Sequence, residues 1–149
     1  MTLAIQNQIE SSISNMLDPY KTEYTEQKFE FEILCSWLSE DECEVKIIGF
    51  MKNKYKPNEI EPFTLLKLYI YPEWNQIHIT NIFLPDFMKY KGIGKRIIND
   101  IFIIAKQEQY SLFIVDMVDS FYNKMIKRGA APCKDCYDAV QIVDETKLL

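Results

Sequence analysis

A mixed α/β fold with a helix at its N-terminal end is what the sequence predicts, and three observations carry that prediction. Between residues 29 and 84, apolar and polar side chains alternate in several stretches, as they do in strands that bury one face. From Ile97 the apolar period becomes helical, directly after a short segment holding two of the chain's four glycines. A compact apolar run at 111–118 then precedes a second helical pattern, so the later part of the central sheet is expected to be built from crossovers.

Taken in order, "LAIQNQIESSISNML" (3–17) places Leu3, Ile5, Ile9, Ile13, Met16 and Leu17 near one side of a helix, which Asp18-Pro19 is expected to end. "KFEFEILCSWL" alternates Phe29, Phe31 and Ile33 against Glu30, Glu32 and Leu34, a strand with one wet face. The polar "SEDE" turns it back into a partner strand at 43–52, and "NKYKPNEIEP" reads as a loop with two prolines. Strands at 63–71 and 76–84 follow, joined by "PEWN". A helix runs to Gln109, and the apolar run at 111–118 suits a buried strand. Asp119 or Ser120 can cap a further helix with Phe121, Tyr122, Met125 and Ile126 on one face, stopped by Gly129, and "DAVQIVD" is a last strand.

Composition bounds the function. A chain of 149 residues with no internal repeat or long linker is expected to form one domain, residues 1–149. Its longest apolar runs fall far short of a membrane span, and the opening "MTLAIQNQIESS" lacks the features of a secretory signal, so the cytoplasm is the expected address. A formal charge of −5 argues against general nucleic-acid binding. Cys133-x-x-Cys136 has zinc-ligand spacing, but no second pair completes it, so no metal is expected and packed, reduced thiols are the simpler account. The charge run from Ser39 to Glu44 reads as a solvated turn. Exposed edge strands leave homodimerisation open.

The segment that asks for an explanation is "KYKGIGK", Lys89 to Lys95, which packs three lysines and both glycines into seven residues of an acidic chain. Placed between a strand and a helix, it combines unpaired helix-start N–H groups, the positive end of the helix dipole, two positions without Cβ, and Lys89, Lys91, Lys95 and Arg96 around one point. A pyrophosphate fits that description. Neither the dinucleotide fingerprint nor the P-loop matches, since position 97 is Ile97 and no G-K-[ST] follows. The plainer alternative is a tight turn with solvated lysines around it.

With its context, "IHITNIFLPDFMKYKGIGKRIINDIF" resembles the cofactor motif of the GNAT family of N-acetyltransferases: a strand, then [QR]-x-x-G-x-[GA], then a helix. Lys89 stands where the family has Gln or Arg, and the resemblance covers about residues 63–143. It implies a GNAT-like strand, glycine turn and helix at the heart of the sheet. It also implies acetyl-CoA as the acyl donor and direct attack by a primary amine, carried by a small molecule or a protein. Ile82, Phe83 and Leu84 would pair with the pantetheine arm, and the amides of Lys89, Tyr90, Lys91, Gly92, Ile93, Gly94 and Lys95 would cradle the pyrophosphate. An N–H near Phe83 would polarise the thioester carbonyl. The slot of the family's proton-donating tyrosine holds Met125, so Tyr122, one turn earlier, is the candidate donor, with a core anchor as its alternative. Asp119 matches a position that touches the cofactor. His78, the only histidine, and Glu73 are candidate bases, although on an alternating strand His78 faces opposite Ile77 and Ile79. Asp116 is a further carboxylate of the same kind. The front half departs from the family, because only a tight turn separates the strands where two helices usually cover the acceptor. The competing expectation is therefore a non-catalytic interaction or regulatory protein of the same fold.

Overall fold

The computed structural model describes residues 3–149. The first helix, α1, spans Ala4–Glu23 and seats Ile9, Ile13 and Leu17, each essentially inaccessible, against the sheet. It does not stop at Pro19. Proline removes one intrahelical hydrogen bond there, but continuing the helix stacks Tyr20 on Tyr24 with ring centroids 5.6 Å apart and buries both. A single 3₁₀ turn, Thr25–Gln27, then leads into the sheet.

Four antiparallel strands follow: β1 (Glu30–Ser39), β2 (Glu42–Lys52), β3 (Ile60–Tyr71) and β4 (Gln76–Ile82). β3 starts three residues before the expected point and includes Pro62, which pairs with Phe50 beyond the region where β4 begins to pair, so the missing N–H falls on an open side. After a 3₁₀ turn, Asp86–Met88, α2 (Ile93–Gln107) crosses over to β5 (Ser111–Ile114), which pairs with β4 in parallel. Helix α3 (Asp119–Lys127) precedes a two-residue strand, β6 (Ala131–Pro132), which the sequence did not signal, and β7 (Val140–Ile142). The result is a mixed α/β fold with a seven-stranded sheet in the order β1-β2-β3-β4-β5-β7-β6. Val118, with no side-chain cap, occupies the N-cap of α3, so Asp119 is the first helical residue instead of the cap. Gly129 takes the expected left-handed conformation after α3, with φ of 97°.

The core lies on one face of the sheet. Val45, Ile47, Leu66, Leu68, Ile70, Ile77, Ile79, Leu112 and Ile114 point inward with 0–2% exposure, and Ile97 and Ile101 of α2 join them. Each such burial is worth about 1.5–3 kcal/mol, which fixes strand register because a one-residue slip would turn the whole set to solvent. Two bulges modify the ladder where it matters. Leu65 is the extra residue of β3 opposite Ile47 and Ile48, so two consecutive leucines are buried. On β4 the extra residue is Thr80, between Ile79, paired with Leu68, and Asn81, paired with Lys67. Among the described residues, no helix is long and apolar enough to cross a membrane.

Candidate functional site

β4 and β5 run side by side only as far as Ile79 and Ile114, and the last ladder bond is donated by the Val115 N–H to the Ile79 carbonyl at 2.9 Å. Beyond that point the strands part. The Thr80 bulge twists β4 one way, while Asp116, held at φ of 54°, bends the chain after β5 the other. Between them opens a cleft of about 170 Å³ with Thr80, Asn81 and Phe83 on one wall and Val115, Asp116 and Phe121 on the other. This divergence explains why β4 and β5 both stop short of their expected ends at 84 and 118.

The glycine turn lies against the end of β4, near Ile82 of the cleft wall. Gly92 is the N-cap of α2 with φ of 75°, a conformation that suits a residue without Cβ, and Tyr90 before it is also left-handed and fully exposed. Ile93 is completely buried and anchors the first turn. Among the described residues, the N–H groups of Gly92, Ile93, Gly94 and Lys95 have no protein acceptor, and no side chain caps the helix. A Cβ at Gly94 would lie 3.7 Å from Leu84 Cδ1 and 3.9 Å from Ile82 Cγ2, so the turn abuts the end of β4 without crowding.

The charges around the turn are less free than the sequence suggested. Lys91 Nζ donates to the Tyr24 hydroxyl at 2.8 Å, lies over that ring, and is 3.9 Å from a Glu23 oxygen; the hydroxyl contact pushes its pKa up. Arg96 donates to the Tyr20 hydroxyl at 2.8 Å. Both cations therefore brace α2 against α1. Lys89 pairs with Asp86 at 3.2 Å, an exposed contact that an incoming anion can displace. Lys95 is in no ion pair among the described residues.

Ile82 and Leu84 lie against Gly94 of the turn, while the expected open donor near Phe83 needs one correction. The Phe83 N–H donates to the Leu65 carbonyl at 2.9 Å, the carbonyl that the β3 bulge turns toward it, so it is not an open donor for a thioester oxygen. The candidate proton-handling groups lie elsewhere. His78 is on the opposite face of β4, with Nε2 2.9 Å from Gln76 Oε1 and its ring edge-on to Tyr71 and Phe113; burial lowers its pKa. Glu73 is exposed in the β3–β4 turn at the far end of β4. Tyr122 packs half-buried against the core and does not line the cleft, whereas its neighbour Phe121 does. Asp119 is exposed at the start of α3.

Two cleft groups were not legible as site residues. Thr80 donates its hydroxyl to Asn81 Oδ1 at 2.9 Å, orienting an exposed amide whose Nδ2 has no partner among the described residues. Their only signal in the sequence was a pair of polar residues inside an apolar strand. A larger and shallower groove of about 490 Å³ separates α1 from α2 near Ser11, Asp100 and Ile103, without free backbone donors of the kind the glycine turn presents.

No protein-family model matches the chain, and no curated protein does. Among solved structures, a "putative acetyltransferase" from Agrobacterium tumefaciens is similar over 95% of this chain and 90% of its own, with 12% sequence identity and a TM-score of 0.38. A likeness at that level carries no conclusion about activity.

Proposed function

We propose that the chain is a single GNAT-like domain, residues 1–149, that binds acetyl-CoA and transfers its acetyl group to a primary amine. The observation that carries this reading is the row of open N–H groups at Gly92 to Lys95, in a turn whose Gly94 abuts Ile82 of the cleft wall. A pyrophosphate takes these donors along with the positive end of the α2 dipole, and Lys95, with Lys89 once released from Asp86, adds charge. The apolar side chains of Phe83, Val115 and Phe121 along the cleft suit a slender chain.

When bound, acetyl-CoA supplies an activated thioester. The chain's own part is to hold and polarise. Asn81 Nδ2, steadied by the Thr80 hydroxyl, is the donor available to a carbonyl oxygen in place of the Phe83 N–H. The Asp116 carboxylate on the opposite wall attracts the amine in its cationic form; solvent takes the proton so that the neutral nitrogen attacks, and returns one to the thiolate that departs as the C–S bond breaks, while aligning the two reactants supplies much of the rate. We place the reaction in the cytoplasm, where thiols such as Cys133 and Cys136 stay reduced.

Calorimetric titration with acetyl-CoA, with desulfo-CoA and ADP alongside, tests this. Binding in the micromolar range that depends on the pantetheine arm supports the reading; absence of binding removes it. The positions of His78, Glu73 and Tyr122 outside the cleft favour a second reading, in which the fold binds an acyl-CoA as a regulator without turnover. Tight binding with no acetylation across a panel of amines would select that one.

A further inference from the structure

A second surface, at the end of the sheet away from the glycine turn, is independent of acyl transfer. On the outward face of β3, β4 and β5 the rings of Tyr69, Tyr71, His78 and Phe113 form a continuous row, with successive centroids 6.4, 4.8 and 5.4 Å apart. In the β3–β4 turn, the Trp74 N–H donates to the Tyr71 carbonyl at 3.1 Å, which folds the indole back onto Tyr71 at 5.5 Å and 28°. Trp74 nevertheless remains 63% exposed. Lys67, Tyr69, Tyr71, Gln76 and His78 are only half-buried, while Leu68, Ile70, Ile77 and Ile79 on the inner face are wholly inaccessible, so this face stays open to solvent.

Carboxylates flank the rings. Glu44 accepts the Tyr69 hydroxyl at 3.0 Å. Glu42 precedes Cys43, which pairs with Ile70, and therefore sits beside Tyr71. Glu40 and Asp41 close the β1–β2 turn at the same end of the sheet, and Glu73 lies next to Trp74. Among the described residues none of these carboxylates is in an ion pair. The chain's own Lys67 lies over the Tyr69 ring at 5.7 Å, whereas among the described residues no cation covers Tyr71 or Trp74.

Flat rings with unpaired carboxylates at their edge match one side chain best. A guanidinium stacks face-on against an aromatic ring, forks its N–H groups onto a carboxylate, and gives up less hydration than an ammonium does. Bases of a single-stranded nucleic acid also stack on such rings, but its phosphates would meet carboxylates where binding needs cations. We propose that the face formed by Tyr71, Trp74 and Glu42 docks an arginine-bearing segment of a partner protein.

Trp74 reports on its own site, so the full-length protein is titrated with a nona-arginine peptide while tryptophan fluorescence is followed. A saturable change is expected, with affinity falling about tenfold between ~50 and ~200 mM salt as exposed charges are screened. Measured by calorimetry, because two of the variants lack the reporting indole, Trp74→Ala should weaken binding at least ~10-fold, Glu42→Gln about threefold, and Trp74→Phe should retain most of it. Any of five outcomes overturns the proposal: no binding; binding unaffected by both Trp74→Ala and Glu42→Gln; equal affinity for nona-lysine; a preference for polyuridylate; or sedimentation showing that the face is covered by a second copy of the chain. Thermal melts of the variants exclude misfolding as the cause, and the isosteric Glu42→Gln leaves the turn intact.

Discussion

The two ends of β4 are opposite in kind. Where β4 leaves the sheet, the structure offers backbone: open N–H groups, two glycines and a helix dipole, with its cations mostly committed to neighbours. Where β4 enters, it offers side chains: a row of aromatic rings bordered by unpaired carboxylates. The first arrangement suits an anion and the second a cation, although Gln76 and Ile82 belong to the same short strand. The difference shows that a net charge of −5 says little about any one surface of this protein.

The sharpest way to break the contrast is to put a negative charge on the backbone end. Gly94→Glu should weaken acetyl-CoA binding by at least about 100-fold in calorimetry, because a carboxylate would face the same N–H groups. Its melting temperature should hold, since a Cβ at that position meets only ordinary contacts. Loss of fold without loss of affinity per folded molecule would assign the turn to structure alone.

Next comes the polar group inside the cleft. Asn81→Ala should lower kcat about 10- to 100-fold in a thiol-release assay while changing acetyl-CoA affinity by less than about twofold, as expected of a donor used mainly in the transition state. Equal losses in both would mean that Asn81 only shapes the cleft. A smaller effect is expected at Tyr122, which belongs to neither end. Tyr122→Phe should keep the rate within about twofold, because the hydroxyl is outside the cleft; a drop in kcat beyond tenfold would show that α3 moves during turnover.

The smallest expected effect is on acid stability, through His78. Burial lowers its pKa below the ordinary 6.5, so near and below that value the unfolded chain binds more protons than the fold. The His78 contribution is therefore complete above pH 6.5 and is lost as the pH falls through the ordinary value toward the lowered one. Between pH 7.5 and 5.5 the wild-type melting temperature should drop further than that of His78→Gln, by roughly 1–2 °C. Identical slopes would mean that the ring does not resist protonation.

Elements with a strong local pattern were legible. The alternation of Phe29, Phe31 and Ile33 with Glu30, Glu32 and Leu34 marked β1, and the helical spacing of Ile97, Ile98 and Ile101 marked α2. Pro19 misled, because what keeps α1 going past it is Tyr20 stacking on Tyr24 and both hydroxyls accepting hydrogen bonds from Arg96 and Lys91, 76 and 67 positions on. The ends of β4 and β5 misled for a related reason. Their apolar residues continue, but their pairing does not, since the bulge at Thr80 and the bend at Asp116 pull the backbones apart.

What the sequence by itself determined is therefore what depends on neighbours in the chain: the periods of strands and helices, and a glycine-rich, lysine-rich start to α2 that suits an anion. Tertiary structure decided which groups remain free to act. The Phe83 N–H is taken by Leu65, Lys91 and Arg96 are drawn to α1, and Asn81 faces a cleft. Those outcomes follow from register between strands and contacts between helices distant in sequence, and hydrogen-bond donors and charges are assigned only when those partners meet.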